Sequence, residues 1–302
     1  MESSPTIEFK SGFVAVMGLP NVGKSTLINA LLGQKIAAVS PRPQTTRRRQ
    51  LGIFTSPAAQ VIFIDTPGIH QPRHKLGETM NQQAREALEE ADLVLWIVDT
   101  SQDPTSEDQL LADLVHSSHQ QAVTLMVMNK IDLVPPDRMA QRQADYQALL
   151  PASRQEFVSA TRGDGCQALL DLIIKRLPAG PLYYPEEQVT DLHEREITAD
   201  LIREAALNHL REEVPHGLAV RIDEYKDRNE QTAYIAATLI LERESHKPIV
   251  IGKQGAMLKK IGTAARQEIE NLVGRKVFLE LRVKVRKNWR DDDETLKILG
   301  LK

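Results

Sequence analysis

The chain of 302 residues holds a single cysteine, Cys166. Neither an internal disulfide nor a cysteine-built zinc site can form from one thiol, and such sparing use suits a reducing compartment. Long apolar runs are missing too. The longest uninterrupted one, Leu93 to Val98, falls far short of the roughly 18 residues that a membrane-spanning helix needs. The opening Met1-Glu2-Ser3-Ser4 lacks the basic-then-apolar plan of a secretory signal, so export is not expected and a cytoplasmic location is. There is no internal repeat and no low-complexity tract. What is present, 41% hydrophobic and 26% charged residues, is the composition of globular domains, and disorder or a collagen-like fibre is excluded. At about 150 residues per domain the length predicts two domains.

The formal charge of −3 conceals an asymmetry. Between Lys247 and Arg290 stand twelve Lys or Arg against three acids, Glu268, Glu270 and Glu280. A basic module on an otherwise acidic chain is the footprint of nucleic-acid or anionic-surface binding, although a solvated charged face has the same composition.

Residues 13–17, 61–64, 93–98 and 123–128 are short, nearly continuous apolar runs, which suit strands buried on both faces. Amphipathic stretches of helical length, around 24–32, 78–91, 106–116 and 137–150, lie between and after them. This alternation predicts an α/β domain with a mainly parallel sheet. Residues 50–55 and 59–65 around Ser56-Pro57 predict a hairpin that adds one antiparallel edge strand. A strand at 156–159 and a helix at 164–177 close the unit. Pro178, Gly180, Pro181 and Pro185 then mark a linker. The division read here is a tail over 1–9, a first domain over 10–178, a linker over 179–192 and a smaller α+β domain over 193–302. The last comprises a helix at 193–213, strands at 218–226, 232–242 and 276–287, a glycine turn at 252–255 between helices, and a short helix within 291–299.

Gly18-Leu19-Pro20-Asn21-Val22-Gly23-Lys24-Ser25-Thr26 matches a phosphate-binding loop and sits after the first strand and before the first helix, where that mechanism requires it. Backbone amides and the helix start attract phosphate oxygens, Lys24 supplies positive charge, and Ser25 can ligate Mg²⁺. Asp65-Thr66-Pro67-Gly68 follows the strand at 61–64; its carboxylate would approach the Mg²⁺ shell and the Gly68 amide could meet a γ-phosphate. Asn129-Lys130-Ile131-Asp132 selects the base. Asp132 can accept from guanine N1–H and its exocyclic amine, which adenine lacks, with Asn129 near N7 and Lys130 along the ring. Ser159-Ala160 can bring an amide to guanine O6. Four elements in order along one sheet edge predict a GTPase. Between the first two, Gln44-Thr45-Thr46-Arg47 occupies the place of a mobile switch, and Thr46 is favoured over Thr45 to complete the Mg²⁺ shell. Lys24, Thr46 and Gly68 are therefore the candidate catalytic groups. Ile69 follows Gly68 where many GTPases place a water-positioning glutamine, so unaided hydrolysis should be slow.

In the basic module, Ile251-Gly252-Lys253-Gln254-Gly255 is a Gly-x-x-Gly turn that lets backbone approach a sugar-phosphate chain, with Lys259 and Lys260 beside it. His70 and His74 read as solvated loop residues, Trp96 as core, and Trp289 as packing residue or base stacker.

The combination of Gly-Leu-Pro-Asn-Val-Gly-Lys-Ser, Gln-Thr-Thr-Arg, Asp-Thr-Pro-Gly-Ile and Asn-Lys-Ile-Asp with a C-terminal Val-Ile-Gly-Lys-Gln-Gly resembles the Era family of P-loop GTPases, which carry a type II KH domain. The resemblance covers about residues 10–300. It implies a factor in small-subunit maturation that binds the 3′ end of 16S ribosomal RNA through its KH domain, with GTP favouring the RNA-binding state. DNA is not an implied partner. Members are cytoplasmic and can associate peripherally with the inner membrane. Some related GTPases hold K⁺ partly through an asparagine matching Asn21, which makes Asn21 a candidate K⁺ ligand. Two alternatives stay open: a tRNA-modification-type GTPase, and an RNA-binding module whose nucleotide does not turn over.

Overall fold

The computed structural model describes residues 8–40, 42, 44–69, 71–118, 123–151, 153–229 and 231–302; His70 lies outside them. The chain forms two compact units. The first holds the residues up to Ile36 together with Thr46–Gln71 and Met80–Asp191, and the second holds Ala37–Thr45, Pro72–Thr79 and Leu192–Lys302.

In the first unit, β1 (Lys10–Met17), β2 (Gln50–Ser56), β3 (Ala59–Asp65), β4 (Leu93–Asp99), β5 (Val123–Asn129) and β6 (Arg154–Phe157) form one sheet in the order β2-β3-β1-β4-β5-β6. Only β2 runs antiparallel, paired with β3. The central strands are apolar on both sides because helices cover both faces. Met17, Trp96, Val98, Met126 and Met128 form one cluster with Ala84 and Leu88 of α2 (Lys75–Glu90), Leu111 and Val115 of α3 (Ser106–Ser118), and Tyr146 of α4 (Pro136–Leu149). The other face receives α1 (Lys24–Leu32) and α5 (Cys166–Arg176), which pack on each other. Trp96 and Cys166 are buried in this core. The loops that follow β1, β3, β5 and β6 all leave the carboxyl edge of the sheet, which is where an open α/β sheet binds ligands.

Residues 179–192 contain neither helix nor strand, and 179–191 lie along the first unit. Gln60, fully buried, accepts the amides of Tyr183 and Tyr184 at 2.8 and 3.0 Å and donates to Tyr184 O at 2.9 Å. Farther on, the edge amides of Ile53 and Leu51 donate to Val189 O (2.9 Å) and Asp191 Oδ1 (2.7 Å).

The second unit follows the order α6 (Glu194–His209), β7 (Leu218–Asn229), β8 (Thr232–Leu241), α7 (Lys247–Ile251), α8 (Ala256–Val273), β9 (Lys276–Val285) and α9 (Asp293–Ile298). Strands β7 and β8 are antiparallel and β9 joins β8 in parallel. One sheet face packs Ala233, Ile235, Ala237 and Leu239 against Leu201, Ile202 and Ala206 of α6 and Ile261, Ala265 and Ile269 of α8. Trp289 is fully buried and its Nε1 donates to Gly217 O at 3.0 Å, so it is a packing residue. Helix α6 stops at His209, four residues before the periodicity predicts: Leu210 is extended and Glu212 adopts φ 55°. Among the described residues no helix is long and apolar enough to cross a membrane.

Candidate functional site

The phosphate loop turns into α1 through Gly23, whose φ of 100° suits glycine and where a Cβ would lie 2.3 Å from Asn129 Nδ2. Lys24, the first helical residue, is only 7% exposed and its Nζ donates to Gly18 O and Leu19 O, each at 3.0 Å. Burial pulls the Lys24 ammonium down to about 8, although Asp65 pushes it back up. Asp65, fully buried at the end of β3, is raised above the ordinary carboxylate range by burial, with Lys24, Ser25, Gln50 and Thr46 opposing the rise. An anion and a hard cation entering here would relieve both penalties.

Three oxygens converge at this point. Ser25 Oγ lies 2.9 Å from Thr46 Oγ1 and 2.8 Å from Asp65 Oδ2, and Thr46 Oγ1 lies 3.3 Å from Asp65 Oδ2. Asp65 Oδ1 is buried with no hydrogen-bond partner. Two hydroxyls and a carboxylate with an oxygen to spare are the donor set that Mg²⁺ accepts, so the residues present fit that ion. Thr45, by contrast, is held away at Ser40 Oγ (2.8 Å) and Arg42 O (2.9 Å).

The remaining phosphate-side candidates divide by exposure. Leu19 and Ile69 pack their side chains on the core, Val22 is buried, and Pro20 and Thr26 are half-buried. Thr66 is fully buried and its Oγ1 donates to Val16 O at 2.7 Å; its side chain anchors the loop to β1. Pro67 is buried, and Gly68 backs onto Pro20.

At the base end, Lys130 adopts φ 66° and its Nζ donates to Asn21 O (2.7 Å) and Asp99 Oδ2 (2.6 Å). Asn21, exposed at φ 65°, is thereby tied to the Asn129–Asp132 loop. Asn129 is 2% exposed; its Nδ2 donates to Val22 O at 2.8 Å and its Oδ1 accepts the Ala160 amide at 3.0 Å. It therefore straps three loops together, a role that its base-edge reading does not contain. Ile131 is half-buried and its amide meets Val158 O. Asp132 has Arg162 Nε 3.7 Å from Oδ2, while its Oδ1 is buried without a partner. Ser159 is fully buried beside Ala160. Sequence reasoning missed Asp99 and Gln50, whose Nε2 donates to Asp65 Oδ2 at 3.2 Å. Asp99 could have been found as the polar residue ending an apolar strand; Gln50 carries no such signal.

In the second unit, Gly252 at φ 73° and Gly255 at φ 80° bracket the turn. A Cβ on Gly252 would lie 2.7 Å from the Met257 amide nitrogen, whereas none within 4 Å opposes one on Gly255. Ile251 is half-buried; Lys253, Gln254 and Lys260 are exposed at or just after the turn. A groove of about 390 Å³ runs beside it, lined by Gly255, Leu258, Lys259, Gly262, Thr263 and Arg266 with Leu279 and Leu281. Its floor is apolar and its rim cationic. Much of the basic excess is internally neutralised: Arg275 meets Glu194 and Asp227, Arg282 meets Glu280, and Arg290 meets Glu242. Lys253, Lys259, Lys260 and Arg266 have no ion pair among the described residues, so uncompensated positive charge lines the turn and its groove.

Comparison with known proteins gives the same two parts. The family described as 50S ribosome-binding GTPase matches residues 13–130, and the KH domain family matches residues 213–290. GTPase Era of Geobacter metallireducens is 48% identical over 293 residues, covering 97% of this chain and 98% of that protein. GTPase Era of Halothermothrix orenii is 44% identical over 300 residues, covering 98% and 100%. A crystal structure of Era with MgGDPNP and nucleotides 1506–1542 of 16S ribosomal RNA superposes with a TM-score of 0.92 at 40% identity, over 97% of this chain and 99% of that one. An Aquifex aeolicus Era variant bound to GDP·AlF₄⁻ gives 0.91 at 39%, over the same shares. A phosphate-loop unit followed by a KH unit, matched in this order along almost the whole length of such relatives, leaves one assignment: the chain belongs to the GTPase Era family.

Proposed function

We propose that this chain is a GTP-hydrolysing switch that binds the 3′ end of 16S ribosomal RNA and thereby assists 30S subunit assembly and rRNA maturation. Residues 10–178 are the nucleotide module and 193–302 the RNA module, joined through 179–192. The observation that carries the reading is the pair of carboxylates that each keep a buried, unpartnered oxygen, Asp65 Oδ1 and Asp132 Oδ1, since an orphaned buried acceptor calls for a ligand. Asp132 accepts from the guanine N1–H and exocyclic amine, with Ala160 and Asn129 framing the base. Ser25, Thr46 and Asp65 hold Mg²⁺, which when bound neutralises charge on the phosphate oxygens. Lys24 moves its ammonium from Gly18 O and Leu19 O to the outer phosphates, and the Gly68 amide meets the γ-phosphate. Ile69 offers the attacking water no polar group, so turnover is slow; Asn21 would hold part of the shell of a K⁺, which would supply positive charge beside the phosphates. A relative crystallised with MgGDPNP and 16S RNA nucleotides supports Mg²⁺, GTP and that RNA as ligands here, the RNA lying over the Gly252–Gly255 turn and its groove. The protein works in the cytoplasm, with peripheral contact to the inner membrane.

Phosphate release from GTP under multiple turnover, with and without an RNA of the 16S 3′-terminal sequence, tests this reading. Slow turnover with GTP, none with ATP, and RNA binding tighter with a non-hydrolysable GTP analogue than with GDP are expected. GTP binding without turnover would refute the enzymatic half, and equal binding of unrelated RNA would refute the partner.

A further inference from the structure

Residues Ala37–Thr45 belong to the same compact unit as α6, and a specific set of contacts holds them. Arg203 of α6, 5% exposed, donates from Nη1 to Thr45 O and from Nη2 to Gln44 O at 2.5 Å. Its neighbour Glu204 accepts the Val39 amide at 3.2 Å, and Arg42 Nη2 reaches Leu210 O at 3.5 Å. Gln44 bends at φ 62° where the guanidinium grips it. Such deep burial of a guanidinium is unfavourable, and desolvation pulls Arg203 down to about 10 even with Asp200 opposing. The core has no need of it: the α6 residues packed there, Leu201, Ile202, Ala205 and Ala206, are apolar. The gripped carbonyls end one residue before Thr46, whose Oγ1 lies 2.9 Å from Ser25 Oγ.

We infer that Arg203 is a positioning residue for the nucleotide site: by fixing the Gln44 and Thr45 carbonyls it presents Thr46 to the metal of a bound triphosphate. The inference rests on the role given to Thr46 above. A diphosphate has no γ-phosphate to draw Thr46 in, so Arg203 contributes to triphosphate binding and not to diphosphate binding. Linkage makes the effect reciprocal: a triphosphate that engages Thr46 tightens residues 44–45 on α6, the first helix of the RNA module.

Dissociation constants for GDPNP and GDP at fixed Mg²⁺, measured on the full chain as wild type, Arg203→Met, Arg203→Lys and Thr46→Ala, test it. Wild type and all variants bind GDP alike. Arg203→Met weakens GDPNP by about tenfold or more, as expected for losing hydrogen bonds from a charged donor, and raises the Mg²⁺ concentration needed. Arg203→Lys restores part of the loss, because one ammonium keeps the charge without the two-pronged grip. A merely structural role would weaken both nucleotides in proportion and leave their ratio unchanged. A wild-type ratio in Arg203→Met beside a reduced ratio in Thr46→Ala overturns the inference alone. Wild-type ratios in both overturn the role of Thr46 as well. If Arg203→Met does not fold, Arg203→Lys decides, and a wild-type ratio there overturns the inference.

Discussion

Replacing Asn129 with alanine separates two roles that a nucleotide-affinity measurement alone would merge. A residue that only touched the base would leave the nucleotide-free protein as stable as before. Asn129 instead ties β5 to the phosphate loop through Val22 O and to the loop after β6 through the Ala160 amide. Removing it strands a carbonyl and an amide on residues that are 4% and 7% exposed, and each unpaired buried group costs about 1–3 kcal/mol. With some water entering the gap, a total of roughly 2–4 kcal/mol is expected. For a unit of this size that lowers its unfolding midpoint by roughly 5–15 °C. Calorimetry without nucleotide is the assay. Asp132→Asn is the control: it breaks no hydrogen bond of Oδ1 and gives up only the loose 3.7 Å contact of Oδ2 with the exposed Arg162, so its midpoint should move by little. An Asn129→Ala midpoint equal to wild type would refute the strap, and any loss of GTP affinity would then belong to the base contact alone.

Asp132→Asn should move preference from guanosine to xanthosine nucleotides by up to about 10⁴-fold, since a buried acceptor rejects a base without matching donors; wild-type binding of ATP as tight as GTP would refute the assignment. GTP affinity should be constant below pH 8 and fall as pH rises above it. Lys24 titrates near 8 when free and bound phosphates raise it, so its contribution is complete below the free value and is lost toward the bound one; isothermal titration from pH 7 to 9 reads the slope, and a flat profile refutes it. Hydrolysis should run faster in K⁺ than in Na⁺ and lose that difference in Asn21→Ala, as phosphate-release rates in the two salts will show. In the RNA module, Lys259→Gln with Arg266→Gln should weaken RNA binding and reduce the slope of log affinity against log salt by about 2, one for each lost phosphate contact. Gly252→Asp is a poor probe, because its Cβ meets the Met257 amide and local folding would be lost along with RNA binding.

Much of this was legible because the chain alternates apolar runs with amphipathic ones, and the nucleotide motifs fall at the ends of those runs. The strands read at 93–98 and 123–128 appear as Leu93–Asp99 and Val123–Asn129. The edge strand β6 escaped by two residues: Arg154-Gln155-Glu156 is polar because the sheet ends there, while the apolar pull of Val158 lies just beyond it. Helix α6 was read too long because Arg211-Glu212-Glu213 favours helix and only Pro215 forbids it, so a tertiary turn at Leu210 leaves no local mark. The grip of Arg203 and the strap of Asn129 were illegible for a related reason. Each depends on partners 158 and 107 residues away, and those partners are backbone atoms, which carry no residue identity. The role of Gln60 in seating the proline-rich segment was hidden likewise.

That seating bears on how the first unit could live alone. Strand β2 is the rim of its sheet, and an uncovered rim offers amides to any neighbouring chain that can add a strand. Here the amides of Leu51 and Ile53 are taken by Asp191 and Val189, so with this stretch in place an added strand would find those two positions already filled. A fragment cut at residue 178, where the proline-rich stretch invites a boundary, would open that rim and expose Gln60 with it. One cut after residue 191 would keep its own stopper, and monodispersity would tell the two apart.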